Sequence, residues 1–392
     1  MACGSESLEK ILDLGKQPLA NEYLENPRQR ELFPLFLNVC TNCTHMQLGI
    51  EVSPKRMFQD YYYVAGLSKQ FEYFLIKFTE KKLLHSKTSN KVIEIGSNDG
   101  SLLRIMQKNG LDCIGIDPAI NITNEANKSD LLTIPTFFGK KLTNFLAKNF
   151  DTALAFNVFA HNAAPLEMLE NIKNITEKEA KIFLLTSQAN MLIGCQFDTV
   201  YHEHMSYFNI RSMKALLNRA NLYLEDVEIE SIHGYSYLFS INKVYVEKSE
   251  ISREVFEIEN GMYEIENYRS FQSKANLIAS QFIKNIQDYK LLGYKIAIYG
   301  AAAKGSTFFN FVQFTPDYIF DDTPNKVNRY SPIGNLQVKS SIEVVGIEEK
   351  ILFIFPAWNI KDELKSKIKY LRPNHNDLAL CYFPEFEIED IL

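Results

Sequence analysis

Lys91-Val-Ile-Glu-Ile-Gly-Ser-Asn-Asp-Gly-Ser-Leu-Leu, residues 91–103, is the stretch on which the fold turns. Residues 92–95 read as a short strand, the turn behind them carries Gly96 and Gly100, and a helix begins near Ser101. Glycines let a backbone approach a ligand closely, and a helix start presents free amides. Downstream, Asp112-Cys-Ile-Gly-Ile-Asp reads as a second strand. It ends in Asp117, about twenty residues past the turn, where a carboxylate can accept both hydroxyls of a ribose. The glycines are not spaced as GxGxxG. Asn98 and Asp99 stand between them, which is the adenosylmethionine type of turn more often than the nicotinamide type. An acidic turn suits a ligand that carries a sulfonium and an ammonium group and no phosphate.

Working outward, the strand–helix alternation continues. Residues 150–157 make a third buried strand ending at Asn157, followed by a loop with His161 and Asn162. A helix over 165–175 and a strand over 181–186 come next. Such alternation predicts a parallel sheet, with ligands at the carboxyl ends of its strands. At such an end lies Phe197-Asp-Thr-Val-Tyr-His-Glu-His-Met-Ser-Tyr-Phe, residues 197–208. Tyr201, His202, Glu203, His204 and Tyr207 can all donate, accept or transfer protons. Histidine titrates nearest neutrality, and an adjacent carboxylate can tune it and fix its tautomer. A helix over 210–220 follows, then two antiparallel strands, 224–230 and 237–246, joined through Ile232-His-Gly-Tyr-Ser.

Before the first strand, residues 58–85 contain a triple tyrosine at 61–63 and a helical pattern with Phe71, Phe74, Leu75 and Phe78 on one face. A long helical pattern from 253 to 292 links this region to a second strand–turn–helix, Lys295-Ile-Ala-Ile-Tyr-Gly-Ala-Ala-Ala-Lys-Gly-Ser-Thr. Its turn, residues 300–305, can cradle phosphates through backbone amides, with Lys304 adding charge. A strand before Asp321 and another over 351–358 complete a smaller α/β domain. At the other end, Cys3 and the Cys40-x-x-Cys43 pair fit a shared tetrahedral metal or, equally, reduced core thiols. Pro18, Pro27 and Pro34 with little periodicity predict an irregular, loop-rich N-terminal module.

The bounds agree. A chain of 392 residues exceeds one core, and 46% hydrophobic residues can fill several. A net charge of -6 gives no broad basic field for nucleic acid or anionic lipid. No run approaches the ~18 apolar residues of a membrane span, and the start lacks a secretory pattern. Six cysteines scattered over this length fit a reduced, cytoplasmic setting.

In this order the pieces resemble the three-part sugar C-methyltransferases. The resemblance rests on Leu12-Asp-Leu-Gly-Lys-Gln-Pro-Leu-Ala-Asn, Glu94-Ile-Gly-Ser-Asn-Asp-Gly, Phe197-Asp-Thr-Val-Tyr-His-Glu-His, Tyr299-Gly-Ala-Ala-Ala-Lys-Gly and Asp321-Asp-Thr-Pro-Asn-Lys with Asn328-Arg329. It implies an α/β protein: a Rossmann-like methyltransferase domain (58–247) between a small Cys-rich, zinc-binding-like lobe (1–57) and, after a linker helix (248–292), a C-terminal Rossmann-like domain (293–392). The implied reaction is S-adenosylmethionine-dependent methylation of a ring carbon beside the ketone of a nucleotide-linked deoxysugar, through an enolate. His204 would be the general base, with Glu203, Tyr201, Tyr63 and His161 in the catalytic set. Glu94, Gly96, Asn98, Asp99, Gly100, Asp117 and Asn157 would hold the cofactor. His202, His233, Gly300, Lys304, Asn325, Lys326 and Arg329 would face the substrate, and Cys3, Cys40 and Cys43 would hold a structural zinc. The expected assembly is a monomer or homodimer.

Two departures stand out. Cys3 matches the second cysteine of the family's leading Cys-x-x-Cys, so the first would precede Met1. The family's His-Gly-Gly-Ser segment with a following arginine is here His233-Gly-Tyr-Ser-Tyr-Leu. A nicotinamide-dependent oxidoreductase and a non-catalytic methyltransferase-like scaffold are the competing readings.

Overall fold

The computed structural model of the chain describes residues 1–391 apart from 59–65, 67, 68, 86–90, 188, 233, 246–254 and 256–258. Tyr63 and His233 thus lie outside the described residues. The chain forms two compact units. One comprises residues 1–9, 38–190 and 203–265, the other residues 10–37, 191–202 and 266–392.

The first unit is built on a seven-stranded sheet in the order Tyr223–Glu230, Ser236–Asn242, Thr176–Ser187, Phe150–Phe156, Lys91–Ile95, Asp112–Asp117, Thr133–Pro135. The last five strands run parallel, and the two at the other edge are antiparallel. Its central strands are apolar on both faces, which requires a covering layer on each side. The period-2 alternation divides them. Val92, Leu154, Phe156, Phe183 and Leu185 meet Phe71, Phe74 and Phe78 of the helix Lys69–Phe78 and Leu102 and Met106 of the helix Ser101–Lys108. Ile93, Ile95, Ala153, Ala155, Ile182 and Leu184 meet Met168, Leu169 and Ile172 of the helix Pro165–Ile175 and Met213 and Leu216 of the helix Ile210–Ala220. Each large side chain so buried is worth roughly 1.5–3 kcal/mol. From Lys91–Ile95 the chain first winds outward to Asp112–Asp117 and then returns on the other side to Phe150–Phe156. That reversal opens a crevice at the carboxyl ends of the two neighbouring strands.

The second unit repeats the plan with a six-stranded sheet, ordered Val338–Lys339, Tyr318–Phe320, Lys295–Tyr299, Ile351–Ile354, Leu378–Cys381, Glu387–Asp390. All neighbours are parallel except the last pair. Arg372, 2% exposed, ties the loops beneath it together. Its Nε donates to Asp377 Oδ2 at 2.6 Å, its Nη1 to Val344 O at 3.0 Å and its Nη2 to Glu349 O at 2.7 Å. Residues 191–202 belong to this unit: Phe197 stacks on Phe308, centroids 5.6 Å apart, and Thr307 Oγ1 donates to Val200 O at 3.0 Å.

Two expectations are corrected. The N-terminal region is not loop-rich, because it contains the strands Leu8–Gln17 and Phe33–Cys40. Burial along the first strand is uneven, so no clean alternation marks it, and Pro34 is tolerated because it sits at a strand start. The helical pattern over 253–292 is also broken. Gly261 adopts φ 78° in a turn, and after it helices run over Ile265–Arg269 and Phe271–Leu291. An Asn-Gly pair inside a helical pattern was the available signal. No helix of the described residues is long and apolar enough to cross a membrane.

Candidate active site

The turn after Lys91–Ile95 is shaped by contacts that leave it little freedom. Gly96 takes φ 76°, and its N–H donates to Ile116 O at 2.7 Å. A Cβ at this position would lie 1.9 Å from Val158 Cγ2, so only glycine lets residue 158 pack onto the turn. Asn98 follows in a left-handed conformation, φ 48°, which asparagine tolerates better than most residues. Asp117 braces it: Oδ2 accepts from Asn98 N–H and Oδ1 from Ala119 N–H, each at 2.9 Å. Asp99 accepts from Gly66 N–H at 3.2 Å and from Ser101 Oγ at 2.8 Å, which fixes the start of the helix behind Gly100.

Glu94 stands apart from these self-satisfied groups. It is 5% exposed, and its Oε2 has no hydrogen-bond partner among the described residues. Burial, with Asp99 and Asp117 nearby, holds its carboxyl well above the usual range. Ser97 Oγ is also buried without a partner among the described residues. Buried polar groups that go unpaired are costly. A cationic ligand carrying an ammonium group would satisfy both, so the residues present fit S-adenosylmethionine.

From this turn a line of contacts leads to the histidines. Asn157, φ 55°, ends the neighbouring strand and donates its N–H to Leu185 O at 2.9 Å. Val158 rests on Gly96, and its carbonyl accepts from His161 N–H at 2.9 Å. The His161 ring stacks on His204, with centroids 5.1 Å apart and an interplanar angle of 27°. Phe58 stacks on His161 with centroids 5.7 Å apart, and Tyr207 meets His204 edge-on at 6.0 Å. Burial lowers the His161 pKa to about 4, so this ring is neutral near pH 7. Glu203, beside His204 in the chain, is 4% exposed. The first unit therefore gathers Glu94, Gly96, Asn98, Asp99, Gly100, Asp117, Asn157, His161, Glu203 and His204. Val158, Phe58 and Ser97 were missed from sequence; an apolar residue right after a strand end was the one available hint.

Tyr201 and His202 fall in the second unit, as do Gly300, Lys304, Asn325, Lys326 and Arg329. His202 is buried, and its Nε2 donates to Pro34 O at 3.2 Å, which places its proton on that nitrogen. The turn at Gly300, φ 94°, copies the first one. Gly300 N–H donates to Phe320 O at 2.9 Å, and Asp321 accepts from Ala301 N–H and Thr323 N–H, each at 2.7 Å. Lys326 Nζ donates to Ala301 O at 2.9 Å and lies 3.5 Å from Asp321. Arg329 pairs with Glu25 at 3.3 Å, and Asn325 is exposed in the turn between.

In the first unit, the sulfurs of Cys3, Cys40 and Cys43 lie within 4.8 Å of one another. His45 is not part of that group; its Nε2 pairs with Ser206 Oγ at 3.2 Å. Three converging thiols fit three corners of a tetrahedral zinc.

Comparison with known proteins agrees with this organisation. Residues 1–58 match a zinc binding domain family, residues 67–227 a methyltransferase domain family, and residues 234–381 the C-methyltransferase C-terminal domain family. C-methyltransferase NovU of Streptomyces niveus is 26% identical over 380 residues, covering 92% of this chain and 90% of its own. Magnesium protoporphyrin IX methyltransferase of Synechocystis PCC 6803, solved with bound S-adenosylmethionine, is 13% identical, covers 45% of this chain and 80% of its own, and superposes with a TM-score of 0.35. The PH0226 protein of Pyrococcus horikoshii OT3 is 13% identical over 48% of this chain and 97% of its own, with a TM-score of 0.38. The fold, the cofactor turn and the matched domains define an S-adenosylmethionine-dependent methyltransferase. With all three modules matched in order along the chain, it resembles the three-domain C-methyltransferases and is more narrowly an S-adenosylmethionine-dependent C-methyltransferase.

Proposed function

We propose that this enzyme methylates a ring carbon next to the ketone of a nucleotide-linked deoxysugar, with His204 as general base. Such a carbon is acidic because its carbanion delocalises onto the ketone oxygen, yet it needs a base poised near neutrality. His204 takes that proton while the neutral His161 ring stacked on it resists a second charge nearby. Glu203 supports His204, and Tyr201 and Tyr63 supply phenols for the enolate oxygen. S-adenosylmethionine, when bound, supplies the methyl group that the carbanion takes. Glu94, Asn98, Asp99, Asp117 and Asn157 hold that cofactor. The observation that supports this reading is the series of contacts Gly96–Val158, Val158–His161 and His161–His204.

In this reading residues 1–57 are the zinc lobe, 58–247 the methyltransferase domain, 248–292 the linker and 293–392 the domain that receives the nucleotide end. His202, His233, Gly300, Lys304, Asn325, Lys326 and Arg329 serve the substrate. Zinc on Cys3, Cys40 and Cys43 is a structural cross-link that takes no part in proton transfer. Six free thiols among the described residues support a cytoplasmic setting, and the working form is a monomer or homodimer.

Incubation with methyl-labelled S-adenosylmethionine and a panel of nucleotide-linked 4-keto-sugars, followed by mass spectrometry, should find one labelled methyl on a ring carbon. His204→Ala should abolish that product and leave cofactor affinity nearly intact. Near-normal turnover in the variant would refute the assignment of the base.

A further inference from the structure

Thr44 and His45 directly follow the Cys40–Cys43 turn and are buried in the first unit. Thr44 lies at φ 55°. A β-branched residue in that left-handed region is an outlier, and it persists only where its surroundings over-determine it. Its N–H donates to Cys40 O at 2.9 Å and its Oγ1 to Cys43 O at 2.8 Å, which ties it to the turn. Asn209 Nδ2 donates to the same Oγ1 at 2.9 Å and to Thr44 O at 3.2 Å. Asn209 also caps the helix Ile210–Ala220, its Oδ1 accepting from Ser212 N–H at 2.8 Å. His45 adds a second set of contacts. Its carbonyl accepts from Cys40 N–H at 2.9 Å, and its Nε2 pairs with Ser206 Oγ at 3.2 Å. Its ring centroid lies 4.6 Å from that of Phe208, and Phe208 lies 5.3 Å from Phe159, which shares the short turn Phe159–His161. The strand Met46–Leu48 then pairs antiparallel with Ser206–Tyr207, and Leu48 N–H donates to Met205 O at 3.0 Å. Each residue from 205 to 209, the segment directly behind His204, is thus held by one from 44 to 48.

We propose that Thr44 and His45 are positioning residues for the base: they fasten the segment behind His204 to the Cys40–Cys43 turn and so set where the His204 ring lies against His161. The inference rests on the reading of His204 as general base. Its physical basis is that proton abstraction depends steeply on geometry, a misplacement of about 1 Å costing on the order of a hundredfold in rate. The strand Ser206–Tyr207 has only two residues, so its ladder alone restrains the segment weakly, and the side chains of residues 44 and 45 supply the rest. The choice of threonine points the same way. Glycine would adopt φ 55° without strain, so a residue that must be forced there is explained by what its hydroxyl does, and that hydroxyl joins Cys43 to Asn209.

The test follows the His204 ring itself. The full chain is labelled with carbon-13 at the rings of its seven histidines and saturated with S-adenosylmethionine, and the His204 resonance is the one missing from His204→Ala. Thr44→Gly keeps the turn and removes the hydroxyl. His45→Phe keeps a ring against Phe208 and removes the bond to Ser206. Each should shift the His204 resonance while bound metal and S-adenosylmethionine affinity stay as in the unaltered chain. With methyl-labelled cofactor and the keto-sugar that is turned over, kcat should fall roughly tenfold in each variant and KM should hardly move. Thr44→Ser and His45→Gln, which restore a hydroxyl and a nitrogen able to reach Ser206 Oγ, should return both the resonance and kcat toward the unaltered values. Merely structural roles would lower thermal stability and leave the His204 resonance and the turnover per bound cofactor unchanged; that outcome in both variants overturns the proposal. A shift that comes only with loss of bound metal also overturns it, because the whole lobe and not these two side chains would then be responsible. Full turnover in His204→Ala instead sinks the reading of His204 as base, a result separate from a resonance that stays in place.

Discussion

An alanine at position 96 would place its Cβ 1.9 Å from Val158 Cγ2, 3.3 Å from Cγ1 and 3.0 Å from Cβ, on a backbone held at φ 76°. Two costs follow. The left-handed conformation costs an L-residue about 1–2 kcal/mol, and inserting a methyl into an occupied position about 1–3 kcal/mol. Gly96→Ala should therefore lose roughly 2–5 kcal/mol from the first unit. Trimming the neighbour separates the two. Val158→Ala removes the contacts at 1.9 and 3.3 Å but keeps the one at 3.0 Å. The double variant should then recover most of the steric cost, a coupling of about 1–2 kcal/mol, and retain the conformational cost. A chain with two compact units does not unfold as one two-state system. Native-state hydrogen exchange of the amides in Lys91–Ile95 is thus the suitable measurement, paired with S-adenosylmethionine affinity. Because the Val158 carbonyl holds His161 N–H, Gly96→Ala should also depress turnover at saturating cofactor. Strictly additive single variants, or Gly96→Ala with unchanged exchange and cofactor affinity, would refute the idea that Val158 dictates the glycine.

Arg372→Met should destabilise the second unit by about 3–5 kcal/mol, because it strands Asp377 and several carbonyls in a dry interior; exchange protection in Ile351–Ile354 would report it, and unchanged protection would refute the role given to Arg372. His161 titrates near 4 against an ordinary 6.5, so the unfolded chain binds the proton first; stability is full above pH 6.5 and falls as pH drops from 6.5 toward 4. His161→Phe should flatten that slope in acid melts, and an unchanged slope would assign it to other groups. Cys40→Ser should reduce bound metal, measured by atomic emission, from about one zinc per chain toward none; undiminished zinc would remove the Cys3, Cys40, Cys43 trio as its site.

Much of this was legible along the chain because its strands are apolar on both faces and its helices on one. The helix bounds 165–175 and 210–220 and the strand bounds 112–117 coincide with the structure, since each is ended by a local event such as a Pro at the helix start, the Asn209 cap or an acidic residue at a strand tip. Where the local signal failed, neighbours had decided. Leu8–Gln17 is a strand with no alternation to mark it, and the Gly261 turn cut a helix that periodicity alone would have continued.

The sequence by itself determined that residues 91–117 would make a glycine turn with an acidic strand tip behind it, because strand, turn and helix propensities are local. Only the tertiary structure decided what those acids do. Asp117 and Asp99 accept backbone hydrogen bonds that hold the turn, whereas Glu94 is buried with one oxygen unpaired among the described residues. It also divided the motif at 197–208, giving Asp198 and His202 to one unit and Glu203 and His204 to the other. A hydrogen bond or a ring stack is fixed by which residues distant in sequence meet, and no spacing along the chain records that His161 would lie on His204.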